Sequence, residues 1–270
     1  MGEKLWVSNY SPDDICGGAE ILGTQFCKAM RLKYMSASKL GVNTAEEIDE
    51  RLSKIPIDLL VYNSTNCWSR KPNAKRSIAV CCEHFDKESK CIDDQKFKII
   101  KEKEWMLQRK AISNADKIIS ISEGEHLSFR KDGFETTIIE PYVNLETFYP
   151  KILPKHPKPT ALFVGRKHYR KGYDIILELQ KLFPEVNFII QILGHLTDDA
   201  MNDLYNISDF LIMPSRYESF GYVYAEALAT NLPIISSRVG MFETWQPKEF
   251  GIFPSEITIE AFAEAIKSFD

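Results

Sequence analysis

No apolar run in this chain of 270 residues approaches the roughly 18–20 residues that a membrane-spanning helix needs. The opening stretch, MGEKLWVS, has no basic-then-apolar pattern of a secretory signal. Trp6 stands where a myristoylation pattern wants Ser or Thr. No cysteine follows residue 91, and all six (16, 27, 67, 81, 82 and 91) fall at or before it. Without a signal pattern these are expected as reduced thiols in a cytosolic protein. Cys81, Cys82, His84 and Cys91 fit no standard zinc spacing, so no metal site is expected. Basic charge is not in excess: 34 Lys and Arg stand against 38 Asp and Glu, a net charge of −4. That excludes nothing by itself. Split at residue 145, the first part has 22 basic and 22 acidic residues and the rest 12 and 16. Neither part is therefore a basic nucleic-acid module. There is no internal repeat and no low-complexity segment. A Gly-x-Gly-x-x-Gly fingerprint is also missing, which leaves a dinucleotide-dependent dehydrogenase weakly supported.

What is present is an ordinary soluble composition, 44% hydrophobic and 27% charged, in a chain long enough for two domains. Short apolar runs bounded by turn residues alternate with helical patterns, the signature of parallel sheets with covering helices. The runs KLWVS, DLLVY, SIAVCC, KIISI and TTII predict strands in the first half. ALFV, NFIIQIL, DFLIM and PIIS predict strands in the second. Helices are expected near 18–31, 44–54, 95–113, 122–131, 173–182, 198–206, 221–230 and 258–268. Five of the thirteen prolines crowd into 141–159. Proline neither donates in a ladder nor continues a helix, so this stretch reads as a linker. The expected domains are 1–145 and 146–270.

Open α/β sheets bind ligands beyond the carboxyl ends of their strands. That rule selects five loops: 9–18, 83–86, 165–172, 194–197 and 214–220. In 165–172 the strand ends in Gly165, and Arg166, Lys167, Arg170 and Lys171 precede a helix. Cations beside a helix start suit an anion such as a diphosphate, and a solvated basic turn is the plainer alternative. In 214–226, Glu218 lies in a loop and Glu226 in the following helix, with Phe220 and Gly221 between them. Carboxylates can hold vicinal hydroxyls of a sugar or ribose. Eight residues along one helix is about 80° out of phase, so spacing alone favours two unrelated surface charges. Gly17 and Gly18 precede the first long helix and could admit an anion or simply make a turn. His84 follows a strand, where a packed histidine is the commoner case.

Taken in order, five segments resemble a retaining glycosyltransferase of the GT-B fold, family four. They are GGAE, ISNADKIISISEGEHLSFRKDGF, IIEPYVNLETFYP, FVGRKHYRKGYDII and LYNISDFLIMPSRYESFGYVYAEALATNLPIISSRVG. The resemblance implies two Rossmann-like domains facing across a cleft. The first would be the acceptor side and the second the nucleotide-sugar donor side. The second domain reads as a trimmed version, because only about 45 residues separate Gly172 from Glu218 where this family usually fits a further strand–helix unit. Asn231 and Asn144 stand at positions where the family usually has glycine.

The resemblance also implies roles. Arg166 and Lys171 would bind the donor diphosphate and stabilise it as leaving group, beside Gly165. Glu218 would contact the donor sugar, with Ser219, Phe220 and Gly221 around it. Glu226 would hold the ribose, Gly17 and Gly18 would line the diphosphate, and His84 would lie near the transferred sugar. No Asp-x-Asp motif is present. Fixed cations can meet the leaving charge instead, so metal-independent, cofactor-free transfer from a UDP- or GDP-sugar with retention is expected. Alternatives are a non-catalytic nucleotide-sugar or glycan-binding relative, and a GT-B-fold epimerase or phosphorylase. The acceptor is open: a glycan, a lipid-linked molecule or a protein. The stretch 95–112, QKFKIIKEKEWMLQRKAI, mixes basic and apolar residues. It is compatible with peripheral contact to anionic lipid, although its acids favour a core-packing helix with a solvated face.

Overall fold

The computed structural model describes residues 2–10, 13, 17–42, 45–64, 73–91, 95–192 and 196–269, with the side chains of 45 and 46 outside the description. The chain divides into two compact units, Met1–Pro141 and Tyr142–Asp270.

The first unit holds a six-stranded sheet in the order β2-β1-β3-β4-β5-β6. Its strands are β1 (Glu3–Ser8), β2 (Lys33–Ser36), β3 (Ile57–Asn63), β4 (Ser77–Cys81), β5 (Lys117–Ser120) and β6 (Thr137–Ile138). Every pairing is parallel. The helices are α1 (Gly18–Met30), α2 (Ala37–Leu40), α3 (Ala45–Leu52), α4 (Phe85–Lys90), α5 (Gln95–Ser113) and α6 (Glu123–Lys131). Leu5, Val7, Leu60, Tyr62, Ala79, Ile112 and Phe129 form the core of this unit. Buried Trp6 stacks on Phe26 of α1 at 5.4 Å between ring centroids. The sequence pattern did not predict β2, α2 or α4. β2 and α2 have four residues each and α4 has six, too short for a period to register.

The second unit holds a five-stranded parallel sheet in the order β11-β10-β9-β7-β8. Its strands are β7 (Thr160–Val164), β8 (Asn187–Gln191), β9 (Phe210–Met213), β10 (Ile234–Ser236) and β11 (Gly251–Ile252). The helices are α7 (Tyr173–Leu182), α8 (Asp198–Ile207), α9 (Tyr222–Ala229) and α10 (Ile259–Lys267). All residues of β7 and β9 are buried, as expected of central strands covered by helices on both faces. Phe163, Ile176, Leu179, Ile212 and Phe262 lie in this core.

Counted from β7, the order is that of a doubly wound sheet whose direction of winding reverses between its first and third strands. Here those are β7 and β9. Ligands of such sheets bind at this reversal, beyond the strand ends. The proline-rich stretch belongs to this unit and runs along α8. The Tyr149 amide donates to Asn202 Oδ1 at 3.2 Å, and the Lys151 amide donates to Asn206 Oδ1. Lys151 Nζ pairs with Asp199 at 2.9 Å and Asp203 at 2.8 Å.

The two asparagines at family glycine positions differ. Asn231 adopts φ 59° just past α9. There the Leu232 amide reaches the Ala227 carbonyl at 2.9 Å, a left-handed helix ending. Asn144 does not use left-handed backbone: the described non-glycine residues with positive φ are Arg31 and Asn231. Its side chain turns the chain instead. Oδ1 accepts the Glu146 amide at 3.1 Å, and Nδ2 donates to Thr147 Oγ1 at 2.9 Å.

Candidate active site

The loops after β7 and β9 meet at the reversal point. After β7, Gly165 is followed by exposed Arg166 and Lys167 and by one 3-10 turn, Tyr169–Lys171. Gly172 then turns at φ 70° into α7. A Cβ on Gly172 would fall 2.1 Å from the Pro214 carbonyl oxygen, so the two loops touch backbone to backbone.

Arg216 fastens them. Its amide donates to the Arg170 carbonyl at 2.7 Å. Its guanidinium donates to the Tyr169 carbonyl at 2.6 Å and to both Asp174 oxygens at 2.8 Å each. It also lies 3.6 Å from the centroid of the Tyr169 ring. This is the planar fork and stack that arginine makes and lysine cannot.

Beneath the clamp lies a buried ion pair. Lys171 Nζ donates to Glu218 Oε1 at 2.6 Å and Oε2 at 2.7 Å. Ser215 Oγ adds a third donor to Oε1 at 2.9 Å. Burial pushes the Glu218 carboxyl up. The charges of Lys171 and Arg170, with the hydrogen bonds from Lys171 and Ser215, outweigh it and hold it below the ordinary carboxylate range. The carboxylate is therefore ionised at neutral pH, while burial pulls Lys171 below the ordinary lysine range against the opposing charge of Glu218. Ammonium has three donors, and the two bonds to Glu218 leave capacity for a further acceptor. Arg166 and Arg170 add positive charge beside Lys171.

Glu226 occupies the second turn of α9. The Tyr205 hydroxyl, from α8, donates to its Oε2 at 2.6 Å. Burial raises the Glu226 carboxyl to about 7, against the lowering effect of the Tyr205 bond. Tyr205 is buried and meets Phe148 edge-on at 6.0 Å. The proline-rich stretch thus braces the tyrosine that holds the carboxylate.

Between the two glutamates, Phe220 is buried, Ser219 is half-buried and Gly221 caps α9. The Tyr217 hydroxyl lies 3.1 Å from Ser219 Oγ. The Phe220 carbonyl accepts the Met241 amide at 2.9 Å. Gly240 sits under this loop with φ 63°, where a Cβ would come 2.4 Å from the Phe220 oxygen and 3.0 Å from Glu218 Cβ. Ser237 Oγ donates to the Ser215 carbonyl. The segment after β10 is therefore the floor of the loop that carries Glu218.

The structure brings Gly165, Lys171, Ser215, Glu218 and Phe220 together, with Arg166 exposed at the edge and Glu226 on the adjoining helix. Sequence reasoning missed Tyr205, the Arg216–Asp174 clamp and Gly240. An arginine, an aspartate and a glycine in or beside loops carry no period. Tyr205 reads as one more aromatic on an amphipathic helix.

The remaining expected residues lie in the first unit. Gly17 precedes α1 in extended backbone and Gly18 is its first residue, exposed. His84 is 1% exposed. Its Nδ1 accepts the Lys87 amide at 3.2 Å, capping α4, and its Nε2 lies 2.8 Å from Asp132. Its ring lies between Trp105 and Phe129, 4.4 Å from each. Burial lowers its pKa despite Asp132. His84, Asp86 and Asp132 come close enough to share an ion, although Lys90 already pairs with Asp86 at 2.6 Å. Cys27, Cys81, Cys82 and Cys91 are free thiols. Cys16, Cys67 and most of the loops 9–16 and 193–195 lie outside the described residues.

Comparison with known proteins follows this division. An uncharacterized glycosyltransferase of Methanocaldococcus jannaschii is 30% identical over 157 residues, 48% of this chain and 42% of that protein. The matches span between 16% and 52% of the lengths of the first curated relatives. Among solved structures, sucrose-phosphate synthase from Thermosynechococcus elongatus superposes with a TM-score of 0.82 at 19% identity, covering 99% of this chain and 89% of that one. Anabaena HepE in complex with UDP-glucose gives a TM-score of 0.69 at 13% identity, covering 99% and 89%. With the two parallel sheets, these likenesses make the fold a two-domain α/β fold of the GT-B type. Over its second unit, residues 142–269, the chain matches the family of Glycosyl transferases group 1.

Proposed function

We propose that this chain is a metal-independent, retaining glycosyltransferase that moves a sugar from a nucleoside diphosphate sugar to an acceptor hydroxyl. One observation carries the reading: a buried Lys171–Glu218 pair stands at the reversal point of the second unit's sheet, beside exposed Arg166. In this proposal Lys171 offers its remaining donor to the diphosphate, and Arg166 closes on it from solvent. Both meet the charge that grows as the C1–O bond of the donor breaks. The acceptor oxygen forms the new bond on the same face of C1, and its proton passes to the departing diphosphate oxygen. Glu218 accepts from sugar hydroxyls and keeps Lys171 aimed. Glu226, held by Tyr205, accepts from the ribose hydroxyls. Residues 1–145 would receive the acceptor, with Gly17 and Gly18 at its edge and His84 as a buried support.

The test is a thermal-shift panel of nucleotide sugars starting from UDP-glucose, the compound present in the HepE structure, then GDP- and ADP-sugars. Stabilisation by one donor identifies it. Release of nucleoside diphosphate from that donor, lost in Arg166→Ala and Glu218→Ala, establishes transfer chemistry. Saturable binding without release assigns the chain to the non-catalytic alternative. Conversion of the donor sugar with no acceptor present assigns it to an epimerase.

A further inference from the structure

Tyr224 stands in the first turn of α9 and is fully buried beside the loop that carries Glu218. Its ring holds one side of that loop. A Cβ on Gly221 would fall 2.4 Å from Tyr224 Cδ2, so the ring and the Gly221 backbone are in contact. The same ring packs on Phe242 at 4.7 Å between centroids. The hydroxyl faces the other side of the loop. Burial, then the charge of Glu218, push the phenol up, and the hydroxyls of Ser236 and Ser215 pull it back. Both serines are therefore beside it, yet among the described residues it has no hydrogen-bond partner.

A buried hydroxyl without a partner destabilises a protein. Phenylalanine would fill the same space without that penalty. The two serines show where the hydroxyl can go. Each has already committed its proton. Ser215 Oγ donates to Glu218 Oε1 at 2.9 Å. Ser236 Oγ donates to the Ser237 and Met213 carbonyls at 3.0 and 3.3 Å. Each can still accept. A bond from Tyr224 to Ser236 would lead only to the backbone. A bond to Ser215 would lead on to a carboxylate, and hydrogen bonds chained toward a charge strengthen one another.

We infer that Tyr224 is a positioning residue for Glu218: its hydroxyl donates to Ser215 when a nucleotide sugar occupies the site, and it steadies the carboxylate through that serine. The role rests on the proposed function. There Lys171 shares its charge with a diphosphate, and sugar hydroxyls reach Glu218 beside Ser215. Glu218 then has less of Lys171 to itself, and the chain from Tyr224 through Ser215 replaces part of what it loses. Tyr224 touches no substrate, because it is fully buried. Its ring meanwhile keeps the Gly221 backbone in place, so one side chain sets both edges of the loop.

The experiment compares Tyr224→Phe with the wild type in thermal melts and in titrations with UDP-, GDP- and ADP-glucose. Without nucleotide the variant should melt at or above the wild type, since it loses an unpartnered hydroxyl and keeps the ring. With the sugar nucleotide that stabilises the wild type, its Kd should rise at least fivefold. A merely structural tyrosine would not move the two readouts in opposite directions. In a Ser215→Ala background, adding Tyr224→Phe should change Kd less than twofold, because the effect passes through Ser215. Wild-type affinity in Tyr224→Phe would overturn the inference. So would a ligand-free melt that falls together with affinity, or a fivefold loss that persists without Ser215. A wild type that none of the three compounds stabilises removes the proposed function itself, and this role with it.

Discussion

Tyr205 donates its hydroxyl to Glu226 at 2.6 Å, and the acceptor is a carboxyl raised to about 7. Burial raises it and the Tyr205 bond lowers it. Under the proposed function Glu226 accepts from the ribose hydroxyls, and a neutral carboxyl does so less well than a carboxylate. Donor affinity should therefore fall as pH drops through about 7. Tyr205→Phe removes the lowering bond, so the midpoint should move up and binding at neutral pH should weaken. Glu226→Gln should show a weak, flat profile. Stability has the opposite sign. A carboxyl whose folded pKa lies above its unfolded value loses stability as pH rises from the ordinary carboxyl range to about 7. Glu226→Gln should thus gain most over the wild type at alkaline pH. Isothermal titration and thermal melts between pH 5 and 8.5 would read both.

Lys171 and Glu218 are buried against each other with bonds of 2.6 and 2.7 Å. Removing one member leaves an uncompensated buried charge, at a cost of about 3–5 kcal/mol. Lys171→Met and Glu218→Leu should each melt far below the wild type. The double variant should recover much of the loss, because two matched apolar side chains need no partner. Under the proposed function, nucleotide release should be lost in all three. The depressed Glu218 carboxyl adds a pH sign: its stabilisation is present above the ordinary carboxyl range and is lost as pH falls through its lowered folded value. Additive single and double losses in denaturant melts would contradict this coupling.

The thiols make a separate prediction for the first unit. Burial pushes Cys81 up to about 12 and Cys82 well above the ordinary thiol value. Neither is a reactive thiolate at neutral pH. A thiol reagent should leave both untouched in the folded protein and label both in denaturant. Mass spectrometry of the labelled peptides separates them from the half-buried Cys27 and Cys91.

Much of this architecture was legible because central parallel strands are short and wholly apolar. ALFV and DFLIM stood out from their surroundings and proved to be buried β7 and β9. The loops after them followed from the strand-end rule, and Lys171 and Glu218 came with the loops. Their direct pairing did not, because 47 residues separate them and spacing along a chain says nothing about contacts across a sheet. The same holds for Arg216 and Asp174, 42 residues apart. β2 and β11 were lost for another reason: four and two residues are fewer than a periodic signal requires. His84 was found as a loop residue, yet its burial between Trp105 and Phe129 depends on two helices distant in the chain.

Gly240 allows the close contact under the Glu218 loop to be separated from the cost of left-handed backbone. Gly240 and Gly41 have nearly the same φ, 63° and 66°. A Cβ at Gly41 would meet nothing within 4 Å, whereas one at Gly240 would lie 2.4 Å from the Phe220 carbonyl. Gly41→Ala therefore carries only the left-handed penalty, about 1–2 kcal/mol. Gly240→Ala carries that penalty and must also push the 218–220 backbone away. It should be destabilised by about 2 kcal/mol more than Gly41→Ala. Under the proposed function, it should lose donor binding and Gly41→Ala should keep it. Chemical denaturation of the two variants side by side, with donor titration of each, measures the difference. Equal stability and equal donor affinity would show that the Gly240 contact does not hold the loop.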